Sequence, residues 1–560
     1  MSNILDMKMA SSLHTSPNKK ILVVVTAGGY TNAAPVLEIA RIMATRGFTI
    51  EFGTFAGRES WLHDCPFISR LHILGPSVPP DVEEANYLRM SDWMTNNKQN
   101  WSAIMHTKKF LESSWPAAYN NLSDLMRDPE TRPDFILADY WVDAARDMNA
   151  EFGLPIAMHW PQMPTAMLPA PYIPGTPGLQ VEILTSEFAT LWQRLRSSFV
   201  IYKALPQLLG YLRWRKQMRI TNGVKRPLPM LTKPDYLCLV NSFFGLEAAK
   251  DIPPNVAAIG PILSDSVPPL VEPYTEFLGN RTRVLYVALG THVLLSDQVM
   301  HRLLSGVTSA LRAGTIDGII WAIRSMARKQ FRQSEKILVP EFGVDDESSL
   351  NKGSPTDSTL SMTVASLLAG EHPSILFVEH APQRSLLQDE RVTIFLSHAG
   401  PASANEAVFA GIPLITLPVY FDQLQNAMRL RDAGVSVPLR KDDFTTEDVV
   451  DAIAQILHDK NHGGPITINV ERMRGISRVA SRRKYLAADL IEETLADSEG
   501  RHKEGRLVGN MRPRGFHLQT ADGRMPVWKT RNWDLWAIRF VGTLGVCGII
   551  IALPIALSRL

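Results

Sequence analysis

The residues best suited to chemistry lie between positions 396 and 427, where the sequence reads LSHAGPASANEAVFAGIPLITLPVYFDQLQNA. An apolar run ends in His398 and Gly400, and Ser403 then opens a predicted helix that carries Glu406. An imidazole can donate a hydrogen bond to a phosphate oxygen, and a carboxylate can accept two from ribose hydroxyls. Because free N–H groups at a helix start attract anions, Gly400 and Ser403 suit a diphosphate.

A second polar group, Asp422 with Gln423, follows an apolar run over 412–417. A neighbouring acid and amide can hold the vicinal hydroxyls of a sugar. The order of strand, turn, helix, strand and polar tip predicts a parallel βαβ unit, and open α/β sheets bind ligands at the carboxyl ends of their strands. Taken singly, His398 and Glu406 also fit the loop and cap of an ordinary βαβ unit. The whole ordered set favours a sugar-nucleotide site.

The stretch resembles the donor-binding signature of UDP-dependent family-1 glycosyltransferases, in the form H-x-G-x-x-S-x-x-E-A, then G-x-P, then P-x-x-x-D-Q-x-x-N-A. Upstream, His380-Ala-Pro-Gln383 resembles the family's aromatic-x-Pro-Gln turn, whose ring, usually Trp, stacks on uracil. His380 holds that position here, with less ring area. The resemblance extends to fungal UDP-glucosyl- and glucuronosyltransferases of secondary or lipid metabolism. It implies that the donor is bound by Thr291, His380, Gln383, His398, Gly400, Ser403, Glu406, Asp422 and Gln423.

Two halves of the chain open with the same pattern, which predicts the elements that hold the candidate site. The run ILVVVTAGGYTNAAPVLEIARIMATRGFTIEFGT and the run RVLYVALGTHVLLSDQVMHRLLSGVTSAL both read as strand, glycine turn and helix. At 560 residues the chain exceeds the size of one core. The sequence therefore predicts two α/β domains. The resemblance implies the GT-B fold, in which two Rossmann-like domains face each other across a cleft.

The expected boundaries follow composition and pattern, while the roles of the two domains and the return of the last helix to the first domain are what the resemblance implies. They are a disordered N-terminus over 1–18, an acceptor-binding domain over 19–263, a Pro-rich linker over 264–274, a UDP-sugar-binding domain over 275–495 whose helix 475–495 returns to the first domain, a basic linker over 496–532 and a transmembrane anchor over 533–558.

The acceptor side lacks a residue that the family resemblance would supply. Family members carry a catalytic His in the loop after the first strand and an Asp that orients it. Asp139 ends an apolar strand and matches the Asp, but Asn32 stands at the His position. A carboxamide cannot take a proton at neutral pH. Three alternatives follow: Asp139 acts as the base, directly or through water; the acceptor needs little deprotonation, as an amine or carboxylate would; or His159 serves instead.

The two ends of the chain predict how the protein meets a membrane. Residues 1–18 lack the apolar core of a signal peptide, and the three cysteines suggest a reducing compartment. Residues 540–557 carry no charge, and this run is close in length to the about 20 residues that span a bilayer. The segment 501–531 carries eight Lys/Arg against two Asp/Glu. The sequence thus predicts a single-pass anchor in the endoplasmic reticulum with cytosolic domains; a packed or surface-lying helix is the alternative.

These observations predict an inverting glycosyltransferase that moves a sugar, expected to be glucose, from a UDP-sugar to a lipophilic small molecule. No metal or other cofactor is expected, since helix and side-chain donors can stabilise the departing diphosphate. The net charge of +2 offers no case for nucleic acid. Two rivals remain: a non-catalytic sugar-nucleotide-binding partner that lost its base, which Asn32 favours, and a nucleotide-sugar epimerase on the same architecture.

Overall fold

The computed structural model describes residues 19–95, 98–174, 183–226, 232–341, 359–503 and 516–557. Two parallel sheets dominate the described chain, one of seven strands and one of six. This confirms the predicted pair of α/β units. The predicted disordered stretch 1–18 lies outside the described residues, and the finer domain boundaries stay predictions.

The first sheet has the spatial order β3-β2-β1-β6-β7-β8-β9, and every neighbouring pair is parallel. Its chain region contains strands β1 Lys20–Val24, β2 Thr49–Thr54, β3 Ile68–Ile73, β4 Met94–Thr95, β5 Lys98–Gln99, β6 Phe135–Asp139, β7 Ile156–Trp160, β8 Leu237–Val240 and β9 Val256–Ala258, with β4 and β5 in a separate small hairpin. The helices of this region are α1 Tyr30–Thr45, α2 Pro80–Ser91, α3 Trp101–Glu112, α4 Trp115–Arg127, α5 Asp143–Phe152 and α6 Leu191–Thr221, with a 3-10 turn Glu59–Leu62.

The second sheet has the order β14-β11-β10-β15-β16-β17 and is also parallel throughout. Its region contains strands β10 Val284–Ala288, β11 Gly318–Ala322, β12 Lys336–Pro340, β13 Thr359–Thr363, β14 Ile375–Val378, β15 Val392–Ser397, β16 Leu414–Thr416 and β17 Ser436–Pro438, with β12 and β13 as an antiparallel pair. Its helices are α7 Tyr274–Leu278, α8 Asp297–Arg312, α9 Ser325–Arg328, α10 Val364–Leu368, α11 Gln383–Leu387, α12 Pro401–Ala410, α13 Gln423–Asp432, α14 Thr446–His462 and α15 Pro465–Ala480. The chain ends with α16 Lys484–Lys503, α17 Val527–Thr530 and α18 Trp533–Leu557, and with 3-10 turns Ser481–Arg483, Phe516–Leu518 and Ala521–Arg524.

Burial on both faces explains why the central strands read as unbroken apolar runs. β1 and β10 are buried along almost their whole length, as parallel strands covered by helices must be. Each sheet separates two apolar clusters, one on each face. One cluster of the second sheet also takes in Trp93, Met105 and Tyr211 from helices and loops of the first region. The two regions therefore share part of their core.

Buried polar contacts join the two regions further. Arg429 of α13 pairs with Glu247 of the first region at 2.9 Å, and both side chains are buried. The Asn405 amide donates to the Asn241 carbonyl at 2.8 Å. After the bend at Ser481–Arg483, helix α16 packs against α1, and its Lys484 pairs with Glu38 at 2.7 Å. The relative position of the sheets is thus held by desolvated contacts.

The final helix departs from the sequence prediction. In the residues that the structure describes, no helix combines the length and low polarity needed to cross a membrane. Helix α18 carries Asp534 and Arg539 in its first two turns, and charges are costly in a bilayer. The predicted transmembrane anchor over 533–558 is therefore wrong, and so is the endoplasmic reticulum localisation built on it.

Candidate functional site

The predicted site residues collect at the reversal points of the two sheets. In the first sheet the strand order reverses between β1 and β6, and Asn32 follows β1 while Asp139 ends β6. In the second it reverses between β10 and β15, which are followed by Thr291 and His398. A reversal leaves a crevice at the carboxyl ends of the strands because the connections on either side run to opposite faces. The structure thus provides two facing crevices.

His398 lies in the tightest part of the second crevice. A Cβ added at Gly290 would come within 2.6 Å of its Nε2, and one at Gly400 within 2.4 Å, so only glycine allows the ring this place. The residue after it, Ala399, has a φ of 61°, a strained value typical of functional turns. Burial lowers the pKa of His398 to about 4, and the nearby His292 lowers it further. A hydrogen bond to the Ala288 carbonyl acts in the opposite direction and raises this pKa.

The expected ribose and base residues form a hydrogen-bonded set behind that turn. Helix α12 begins at Pro401, so Ser403 lies inside its first turn and does not open the helix. The Gln383 amide donates to Ser403 Oγ at 3.3 Å and to Glu406 Oε2 at 2.7 Å. Burial raises the pKa of Glu406. His380 is exposed, and its carbonyl accepts a hydrogen bond from Tyr274 at 2.6 Å.

The loop before α13 brings Asp422 and Gln423 to the same crevice. Gln423 Oε1 accepts from the backbone N–H groups of Val419 and Tyr420, at 3.0 and 3.2 Å. Its carbonyl oxygen is therefore occupied by the loop, and its amide NH₂, which also meets the Tyr420 side chain, is the group left to donate to a ligand. Burial raises the pKa of Asp422 to about 6. Phe421, just before it, has a φ of 51°.

Asp139 occupies the matching place in the first crevice, fully buried between two partners. The Asn32 amide donates to Asp139 Oδ2 at 3.4 Å, and His159 Nδ1 lies 3.5 Å from the same oxygen. Asp139 Oδ1 accepts from the Trp141 N–H at 3.2 Å. Both ring nitrogens of His159 are buried without a hydrogen bond from the described residues. All three predicted catalytic side chains therefore meet at one carboxylate.

Aromatic side chains connect the two crevices. Trp141 lies 5.8 Å from Phe421, edge to face, and Trp93 lies 4.4 Å from Phe421 on another side, both measured between ring centroids. Tyr140 is buried, which raises its pKa, and the negative charges of Asp422 and Asp139 act in the same direction. The Asp139 loop of the first sheet and the Asp422 loop of the second thus face each other across the cleft.

The first loop also approaches the β10 loop. A Cβ at Gly29 would come within 3.0 Å of the His292 ring and 3.6 Å of Thr291 Oγ1. Burial lowers the pKa of His292 to about 4, with Arg324 and Arg58 contributing. Its ring lies 4.6 Å from that of Tyr87.

The sequence reading missed the aromatic bridge made by Trp93, Trp141 and Phe421. Tyr140-Trp141 directly follows Asp139, so aromatic residues beyond a polar strand end were a usable signal. Phe421 precedes Asp422 in the same way. Nothing local marks Trp93, because its role depends on a contact between distant parts of the chain.

Comparison with known proteins decides the family. The chain is 40% identical to UDP-glycosyltransferase stmC of Aspergillus ustus over 552 residues, which covers 98% of each chain. It is 38% identical to a UDP-glycosyltransferase of Talaromyces amestolkiae over 94% of this chain and 96% of that one. The chain belongs to the UDP-glycosyltransferase family.

Two further comparisons agree with this UDP-glycosyltransferase assignment. The family model for UDP-glucoronosyl and UDP-glucosyl transferase matches residues 363–468, which include the whole set from Gln383 to Gln423. The crystal structure of the glycotransferase of kitacinnamycin superposes with a TM-score of 0.58 at 17% identity, over 86% of this chain and 100% of that chain. The second likeness concerns the fold alone and supports the GT-B architecture.

The predicted enzyme class is thereby confirmed: this UDP-glycosyltransferase transfers a sugar from a UDP-sugar. This result argues against the two alternatives, a non-catalytic partner protein and an epimerase. In the described part of the chain, no three His, Cys, Asp or Glu side chains form a group that could hold a metal ion. The roles of the individual residues stay predictions.

Proposed function

We propose that this UDP-glycosyltransferase transfers glucose, with inversion, to a lipophilic small molecule bound between Asp139 and the Asp422 loop. The observation that carries the proposal is the meeting of the two loops: Trp141 beside Asp139 lies against Phe421 beside Asp422. A donor sugar at Asp422 and an acceptor at Asp139 would then be neighbours.

The donor is bound along the second crevice. The diphosphate receives hydrogen bonds from His398 and from the free N–H groups at the start of α12, whose positive end also favours it. Glu406 and Gln383 take the ribose and base, and His380 stacks on uracil. Asp422 accepts from sugar hydroxyls, while the Gln423 NH₂ donates to one. Thr291 completes the phosphate contacts from the β10 loop.

The reaction is a direct displacement at the anomeric carbon. The acceptor oxygen forms its bond to that carbon as the bond to the UDP oxygen breaks, and the acceptor proton passes to Asp139. UDP leaves with the electron pair, stabilised by the donors of the second crevice. Asn32 is partly exposed and donates to Asp139 at 3.4 Å, and it orients the acceptor.

His159 gives the carboxylate a second neighbour that can hold a proton. Its Nδ1 lies 3.5 Å from Asp139 Oδ2, and neither ring nitrogen bonds elsewhere within the described chain. A protonated Asp139 could pass its proton to this imidazole. The family's imidazole-carboxylate pair would thus be made from the strand β7 and not from the first loop.

Lipophilicity of the acceptor is supported by the aromatic walls beside Asp139. Tyr140 and Trp141 follow Asp139 in the chain, and the Trp141 ring lies 5.8 Å from the ring of Phe421. Such walls favour aromatic or aliphatic molecules, since burying their surface releases roughly 25 cal/mol per Å².

A transfer assay with a panel of donors and acceptors tests the proposal. Purified protein is incubated with UDP-glucose or UDP-glucuronate and aromatic hydroxyl, amine and carboxylate acceptors, and released UDP and product are measured. The proposal expects UDP-glucose to be preferred and the product to have the β configuration by NMR, since UDP-glucose is the α anomer. Product of α configuration, or UDP-sugar binding without transfer to any acceptor, would contradict it.

A further inference from the structure

Lys108 of helix α3 is a positive charge beside the proposed acceptor pocket that the transfer mechanism does not use. Its ammonium lies 5.8 Å from the centroid of the Trp141 ring, and Trp141 lies between Asp139 and Phe421. The side chain is half-buried. Within the described part of the chain, it has no carboxylate at ion-pair distance and no hydrogen-bond acceptor.

The charges around Lys108 leave it unmatched. Arg215 already takes the two nearby carboxylates: its Nε lies 3.2 Å from Glu112 Oε2, and it also pairs with Asp143. Asp143 has a further partner in Arg146, at 3.5 Å. Three cations therefore face two carboxylates, and Lys108 is the one without a carboxylate at ion-pair distance.

Burial lowers the pKa of Lys108, and the positive charge of Arg215 lowers it too. The negative charges of Glu112 and Asp143 raise this pKa and offset part of the effect. An ammonium in such a place gains from any anion that reaches it, because a partly buried charge without a partner is costly. The two carboxylates nearby disfavour a doubly charged phosphate, and a protonated amine would be repelled by the ammonium itself. A singly charged carboxylate is the group that fits.

We propose that Lys108 forms an anion subsite of the acceptor pocket, and that the acceptor is a lipophilic hydroxy acid. Its carboxylate pairs with the Lys108 ammonium, its apolar body lies on the Trp141 ring, and its hydroxyl faces Asp139. This inference rests on the proposed function, since it names the class of acceptor for the same pocket.

A matched pair of probes tests the subsite: a hydroxynaphthoic acid and the hydroxynaphthamide with the same substitution pattern. Affinity for each is measured by calorimetry in the presence of UDP. We expect the wild-type protein to bind the acid roughly ten- to hundred-fold more tightly than the amide, the range for a hydrogen bond to a charged group. Lys108→Met should abolish the difference without weakening the amide, and Lys108→Arg should keep most of it.

The next residue provides a matched control. The Lys109 ammonium lies 5.9 Å from the Trp214 ring, a similar contact on a tryptophan outside the pocket. Lys109→Met should therefore keep the wild-type preference for the acid. Should Lys108→Met fail to fold, Lys108→Gln replaces it, and the wild-type comparison of acid with amide stands without any variant.

The outcomes separate this inference from the proposed function. A wild-type protein that binds the acid no more tightly than the amide, or a Lys108→Met protein that keeps the preference, overturns the anion subsite. Tight, Lys108-dependent binding of the acid without UDP release from UDP-glucose would leave the subsite standing and contradict the proposed transfer.

Discussion

Replacing His398 tests how the enzyme holds the diphosphate. With a pKa of about 4, the imidazole is neutral at pH 7 before the donor binds. Placing a proton on it there costs about 4 kcal/mol, at roughly 1.36 kcal/mol per pH unit. This exceeds the roughly 1.5–3 kcal/mol that a hydrogen bond to a charged group contributes. We therefore expect a neutral His398 to donate to the diphosphate.

Two substitutions distinguish a neutral donor from a cation. His398→Ala removes the donor, and UDP should bind roughly ten- to hundred-fold more weakly, the equivalent of that hydrogen bond. His398→Gln leaves a neutral N–H donor on the same turn, between Gly290 and Gly400, and should retain most of the affinity. The measurement is calorimetric titration with UDP at pH 7.

Thermal melting of both variants provides the control for folding. Unchanged UDP affinity in His398→Ala would refute the donor role altogether. A His398→Gln protein as impaired as His398→Ala would refute the neutral donor and show that a cation is required.

Three further predictions concern the sugar, the base and the contact between the two regions. Because the pKa of Asp422 is raised to about 6, its carboxylate is charged above pH 6, and the KM for UDP-glucose should rise as the pH falls below 6. In Asp422→Asn this rise should vanish, and a rise that persists would contradict a role of Asp422 in binding the sugar. Asn32→His should place an imidazole next to Asp139 and raise the turnover of hydroxyl acceptors, by up to the roughly 10²–10⁴-fold typical of general-base catalysis. An unchanged rate for every hydroxyl acceptor would count against a catalytic site at Asn32 and Asp139. Arg429→Met should destabilise the protein by about 3–5 kcal/mol in denaturant titrations, because it leaves the buried Glu247 carboxylate without its cation, and adding Glu247→Leu should recover most of that loss. Equal stability of Arg429→Met and wild type would contradict the importance of this ion pair for stability.

The meeting of His398 and Glu406 at one crevice could be predicted from the sequence because it is local. His398 and Glu406 belong to one βαβ unit, so strand and helix periodicity alone bring them to one strand end. The same holds for Asp139, which ends a fully buried strand. A parallel sheet of apolar strands has few other ways to arrange such residues.

Details that depend on side-chain competition could not be predicted. The motif suggests that the Gln423 amide meets the sugar, yet the oxygen of this amide is taken by the backbone of its own loop. The start of α12 at Pro401 likewise follows from proline at a first helical turn, which competes with Ser403 as the opening residue.

Contacts between distant segments also lie beyond local patterns. Trp93 meets Phe421 only after two separate regions have folded and packed together. Lys108 reads as an ordinary exposed lysine of an amphipathic helix until Trp141 is seen beneath it. The final helix shows the reverse case, since the uncharged run over 540–557 predicts a span while Asp534 and Arg539 in the turns before it count against one.

The rate of sugar transfer by Asp139→Asn, measured beside its affinity for UDP, tests whether Asp139 is the general base. Asparagine keeps the size of the side chain but cannot take a proton. We expect UDP to bind within about twofold of wild type, while transfer falls by roughly 10²–10⁴-fold, the contribution of a general base. Transfer at the wild-type rate in this variant would contradict the central claim that Asp139 receives the acceptor proton.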